Sequence, residues 1–72
     1  MMIDEFVKDI KELKKKYPVY RPLWNRILRK IENGDRAGAL KTLRRCFGIA
    51  MSNGDPSIKD DIREVIMREH QR

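Results

Sequence analysis

Seventy-two residues, 39% of them charged and carrying a formal charge of +6, make one small domain, near the lower size at which a single core holds without metals, disulfides or a second subunit. One cysteine, Cys46, and one histidine, His70, form neither an internal disulfide nor a four-ligand zinc site. The longest uncharged runs fall far short of the roughly 20 apolar residues of a membrane span, so a transmembrane helix is excluded with them.

The first predicted helix carries Ile3, Phe6, Val7, Ile10, Leu13 and Tyr17 at steps of three and four, which places them on one face. Asp4, Glu5 and Asp9 lead and the lysines trail, as the helix dipole favours. Pro18 disfavours helical geometry at Tyr17, and Pro22 suits the first turn of a following helix, so residues 17–21 are expected to form an extended connector.

The second helix has the stripe Leu23, Trp24, Ile27, Leu28 and Ile31, and Asn33-Gly34 supplies the left-handed residue that ends it. Asp35 is the expected cap of a third helix whose buried face is Ala39, Leu40, Leu43, Phe47, Ala50 and Met51, stopped by Ser52-Asn53-Gly54. Gly38 and Gly48 inside that helix permit close approach of another backbone; Gly48 either admits a neighbouring helix, a second subunit or a phosphate, or ends the helix early near Cys46-Phe47. Asp55-Pro56 reads as a cap plus a first-turn proline, opening a fourth helix with Ile58, Ile62, Val65 and Ile66 on its inner face, Glu69 at its fraying end and Arg68 and Arg72 closing the dipole.

No segment alternates with the period of two that a half-buried strand needs. The expected fold is therefore all-α: residues 1–72 as a single helical domain, a compact four-helix bundle or two stacked helical hairpins, since short connections turn each helix back on the last.

The charge is not evenly spread. Arg21 to Arg45 holds eight basic residues against two acidic ones, whereas residues 1–20 hold five against four and residues 46–72 four against five. A local cationic field attracts polyanions over roughly 8–10 Å at physiological salt, which points to DNA or RNA as the partner. The candidate contact residues are Arg21, Arg26, Arg29, Lys30, Arg36, Lys41, Arg44 and Arg45, with Arg26 and Lys30 one helical turn apart and Lys41, Arg44 and Arg45 clustered beside the apolar stripe of the third helix. Tyr20, in the aromatic and cationic run from Lys14 to Arg26, either stacks on a base or packs as a staple over the second helix; Trp24 falls on the apolar stripe and belongs to the core.

A DNA-reading helix-turn-helix does not fit, because aligning Gly34 with the turn glycine puts Lys30 where that motif needs a small residue and Arg29 where it prefers an apolar one. The competing expectation is a protein-interaction or assembly subunit, either a homodimer or an accessory chain binding an acidic partner. An uncovered patch of Ile58, Ile62, Val65, Ile66 and Met67 would favour it.

Catalysis is not expected. Asp60-Asp61 stands near a helix start, where carboxylates serve the dipole, and there is no glycine-rich phosphate loop. Cys46 has cationic neighbours able to lower its pKa but reads as a buried-edge thiol. No cofactor and no metal is implied. The opening residues 1–5 lack the basic and apolar stretches of a signal peptide, so a cytoplasmic location is expected. The excess of charged over amide side chains is of the kind enriched in proteins from hot environments, and equally of an ordinary charge-rich helical protein.

Overall fold

The computed structural model describes residues 4–71, so Ile3 of the first apolar face and Arg72 at the end of the last helix lie outside the described residues. Four helices follow one another: α1 (Glu5–Lys16), α2 (Arg21–Glu32), α3 (Arg36–Ser52) and α4 (Pro56–His70). Among the described residues there is no strand, and no helix is long and apolar enough to cross a membrane. Each helix packs against the next in sequence, and α4 returns, more lightly, to α1. The result is an all-α bundle around one core.

The turns explain that path. Asp4 caps α1 by accepting the Phe6 N–H at 3.0 Å. Gly34, at φ 81°, ends α2 with the Gly34 N–H donating to the Ile31 carbonyl and the Asp35 N–H to the Lys30 carbonyl, the double bond of a Schellman closure. Gly54, at φ 73°, repeats the device at the end of α3, with bonds to Met51 and from Asp55 to Ala50. The expected extended connector is instead a single 3₁₀ turn over Pro18–Tyr20 running directly into α2. Tyr17, at φ −126° and ψ 69°, satisfies the pre-proline restriction alone, and the fixed φ of Pro18 is already suited to a turn.

Trp24 is fully buried at the centre, surrounded by Phe6, Ile10, Ile27, Leu43, Ile58 and Ile62. Burial of each large side chain contributes about 1.5–3 kcal/mol, and the indole N–H donates to the Tyr17 carbonyl at 2.9 Å, so no polar atom of Trp24 is stranded. The inner face of α3 is rotated from its expected setting: Ala39, Leu43 and Ala50 are buried, but Thr42 and Cys46 join them, Leu40 and Phe47 stay at the margin, and Met51 is 52% exposed. Because α3 serves α2 and α4 at once, its buried arc is centred between those neighbours. Thr42 tolerates burial by donating its hydroxyl to the Gly38 carbonyl at 2.9 Å.

Candidate nucleic-acid interface

The α2–α3 hairpin carries two rows of residues spaced at helical steps, Arg26, Arg29 and Lys30 on α2 with Asn33 at its end, and Gly38, Lys41, Thr42 and Arg45 on α3. Together they line one open groove of about 480 Å³. Five of the eight sequence-nominated cations thus face a common hollow that has no carboxylate in its lining. Arg26, Arg29, Lys41 and Arg45 make no ion pair with any described residue, and Lys30 lies 3.9 Å from Asp35 at the rim. Their forks and ammonium groups are available to phosphate oxygens.

Asp35 shapes that rim. Its Oδ1 accepts the Gly38 N–H at 2.9 Å, capping α3, and a Cβ at Gly38 would stand 2.1 Å from Asp35 Oδ2 and displace that carboxylate. Gly48, by contrast, borders open space: outside its own stretch of helix, nothing in the chain lies within 4 Å of a Cβ built on it, so no neighbouring helix of this chain approaches it closely. Asn33, Gly38 and Thr42 were not anticipated as groove residues. Their signal was the helical spacing from Lys30 and Arg45, which becomes readable once the hairpin pairing is known.

Four nominated residues fall elsewhere. Arg36 is held by three partners: its guanidinium bonds to the Asp4 carboxylate, reaches Glu69 Oε2 at 3.2 Å and stands 6.0 Å from the centre of the Phe6 ring. It ties the start of α3 to the start of α1 and the end of α4. Arg44 projects to the opposite flank of α3 from Arg45, where it donates to His70 Nε2 at 2.8 Å and borders a shallow apolar hollow with Phe47, Arg63, Ile66 and Met67. The expected cluster of Lys41, Arg44 and Arg45 is therefore split. Arg21 is exposed and makes no ion pair with a described residue, but it does not line the groove.

Tyr20 takes up the packing alternative. Its ring meets Trp24 edge to face at 6.2 Å, its hydroxyl donates to Asp55 at 2.8 Å, and it accepts from the Asn53 amide at 3.3 Å. The side chain clamps the α1–α2 corner to the α3–α4 turn. Asp55, engaged by Tyr20, makes no side-chain cap to α4, contrary to its expected role. The most exposed large apolar side chain of the corner is Val19, at 77%.

The α1–α4 seam supplies the contrast. Asp9, Glu12, Asp61 and Glu64 line it together with Lys15, Lys16 and Arg68, so its charges nearly balance. Asp61 takes the Tyr17 hydroxyl and, at 2.9 Å, the Lys16 ammonium; the Tyr17 bond first and Lys16 second hold its carboxyl below the usual carboxylate range. Burial first, then the bond to Asp61, pushes the Tyr17 phenol up. Arg68 bonds Asp9 and Glu64 at 2.8 Å each, leaving Asp9 Oδ2 buried without a hydrogen-bond partner among the described residues.

Cys46 is buried, and desolvation outweighs the nearby Arg45 charge, pushing its thiol up to about 11, so it is a poor nucleophile at neutral pH. Among the described residues no group of three or more His, Cys, Asp or Glu side chains could hold a metal. Comparison of the chain with protein-family models, curated proteins and solved structures gave no match.

Proposed function

We propose that this protein binds nucleic acid through phosphates seated in the α2–α3 groove, as a binding module and not an enzyme. The observation that carries the reading is the convergence of Arg26, Arg29, Lys30, Lys41 and Arg45 on one hollow with no acidic lining residue. Where the α1–α4 seam cancels its charge internally, this groove leaves its charge facing solvent. Each phosphate neutralised there releases counterions, so affinity falls steeply with salt. The groove's uncharged lining is Asn33, Gly38 and Thr42, and the Thr42 hydroxyl is already donated to the Gly38 carbonyl. The contacts we propose are to the phosphate backbone, with little sequence discrimination.

The test is anisotropy titration of a labelled oligonucleotide with the parent and with a variant carrying glutamine at all five groove positions. The parent binds at 50 mM salt and the variant, still helical by circular dichroism, does not. Equal binding by the two proteins would remove the groove from the account.

The second reading, a subunit docking on an acidic partner or on its own copy, draws on the apolar hollow at Phe47, Ile66 and Met67, flanked by Arg44 and Arg63, with a volume of about 200 Å³. Ile58, Ile62 and Val65 are spent in the core, which leaves only part of the patch that would favour assembly. Sedimentation showing a concentration-dependent dimer, with no oligonucleotide retained, would promote this reading.

A further inference from the structure

Resting on the proposed groove, we infer that its ligand is double-stranded nucleic acid, held by the paired phosphate backbones, and not a single strand. Two observations point the same way. The first is the density of positive charge. From Arg26 to Asn33 the groove runs seven residues along α2, about 10 Å at 1.5 Å per residue, and within that length five cations face inward. A duplex presents one charge per roughly 1.7 Å of axis and so about six over that length, whereas one strand, at roughly 3.4 Å per charge, presents about three. Five cations match the duplex and exceed what a strand can neutralise.

The second observation is where the aromatic rings go. Sites that hold single strands without sequence preference add base stacking on aromatic side chains to a cationic track, at about 1–3 kcal/mol per base. Here Phe6 and Trp24 are buried, Tyr20 is pinned between Trp24 and Asp55, and Tyr17 is bonded to Asp61. Phe47 lies on the far flank of α3 beneath Arg63, with the guanidinium 5.9 Å from its ring centre. No aromatic ring lines the groove. A single strand would therefore gain neither the stacking nor the full charge match.

The experiment uses the intact chain and a labelled 20-base-pair DNA duplex, a duplex RNA of the same sequence, and each separated DNA strand, titrated between 50 and 200 mM salt. With five phosphates engaged at about 0.9 per contact, the duplex log–log salt slope is about −4.5, a loss of roughly 500-fold in affinity across that range. With about three engaged at 0.7 per contact, the strand slope is about −2, a loss of roughly 20-fold, and at 50 mM the strand binds more weakly than the duplex. Substituting R26Q and R45Q together lowers the duplex slope by about 1.8 while leaving the helical spectrum unchanged.

A strand that binds as tightly as the duplex, with an equally steep slope, overturns this inference and leaves the groove reading intact. Failure of all four probes to bind at 50 mM overturns the groove reading itself, and the two failures are thereby distinguished. Binding of one duplex type and not the other still supports the inference, since both present paired backbones.

Discussion

The two glycines inside α3 face opposite circumstances, and alanine substitution should separate them. At Gly48 an added Cβ meets open space, so Gly48→Ala gains the full helix-propensity difference, about 1 kcal/mol, which in a domain of this size raises Tm by about 4–8 °C. At Gly38 the same propensity gain is opposed: the new Cβ would stand 2.1 Å from Asp35 Oδ2 and 2.7 Å from its Cγ, so the carboxylate must swing out and abandon the Gly38 N–H. Loss of that cap costs about 1 kcal/mol, and loosening the exposed Lys30–Asp35 pair at 3.9 Å adds at most a few tenths. Gly38→Ala should therefore leave stability almost unchanged. In an Asp35→Ala background, where the cap is already gone, Gly38→Ala should recover its gain of about 1 kcal/mol, so the double-mutant cycle returns a coupling of that size. Urea denaturation reads all four proteins, with shifts in midpoint at constant m-value. If Gly38→Ala stabilises as much as Gly48→Ala, or the cycle shows no coupling, the Asp35 clamp at the groove rim is wrong.

Other consequences can be checked on the same preparation. Tyr20→Phe removes the hydroxyl shared by Asp55 and Asn53 and should cost about 1–2 kcal/mol while leaving oligonucleotide affinity unchanged; a loss of affinity with stability intact would restore Tyr20 to the binding surface. Asp61, whose carboxyl is depressed by Tyr17 and Lys16, contributes stability that is fully present above the ordinary carboxylate pKa near 4 and is lost as pH falls through its lower folded value. Asp61→Asn should accordingly be less stable than the parent at pH 6, with the two curves converging as pH falls below the ordinary carboxylate range. Arg36→Gln should destabilise by roughly 1–3 kcal/mol, because it removes a cation bonded to both the Asp4 and the Glu69 carboxylates, and should leave binding at 50 mM salt nearly unchanged.

The helices were legible in the sequence because their signals are local. Gly34 and Gly54 each close a helix at positive φ, Asp35 caps the next one, and the stripes through Phe6, Trp24 and Ile62 have the helical period. The basic character of the middle third was legible for the same reason. What could not be read was the assignment of each cation to a face. Arg44 and Arg45 are adjacent, yet about 100° of helical turn sends one to His70 and the apolar hollow and the other into the groove, and the orientation of α3 is set by contacts with α2 and α4 together. Arg36 is captured by carboxylates 32 and 33 residues away, and Tyr20 by one 35 residues away. Such pairings depend on tertiary geometry and leave no periodic trace, whereas the groove inherits its regularity from two helical rows.

The account turns on where positive charge sits, and a matched pair of variants isolates that. Arg26→Gln with Arg45→Gln removes two cations from the groove, and Lys8→Gln with Lys11→Gln removes two exposed cations from α1; both lower the formal charge of +6 by the same amount. Anisotropy titration of duplex DNA at 50 and 200 mM salt should show the groove pair losing most of its low-salt affinity and about 1.8 of its salt slope, with the α1 pair close to the parent. Equal losses from the two pairs would mean that net charge alone attracts the nucleic acid, and the groove would cease to be its binding site.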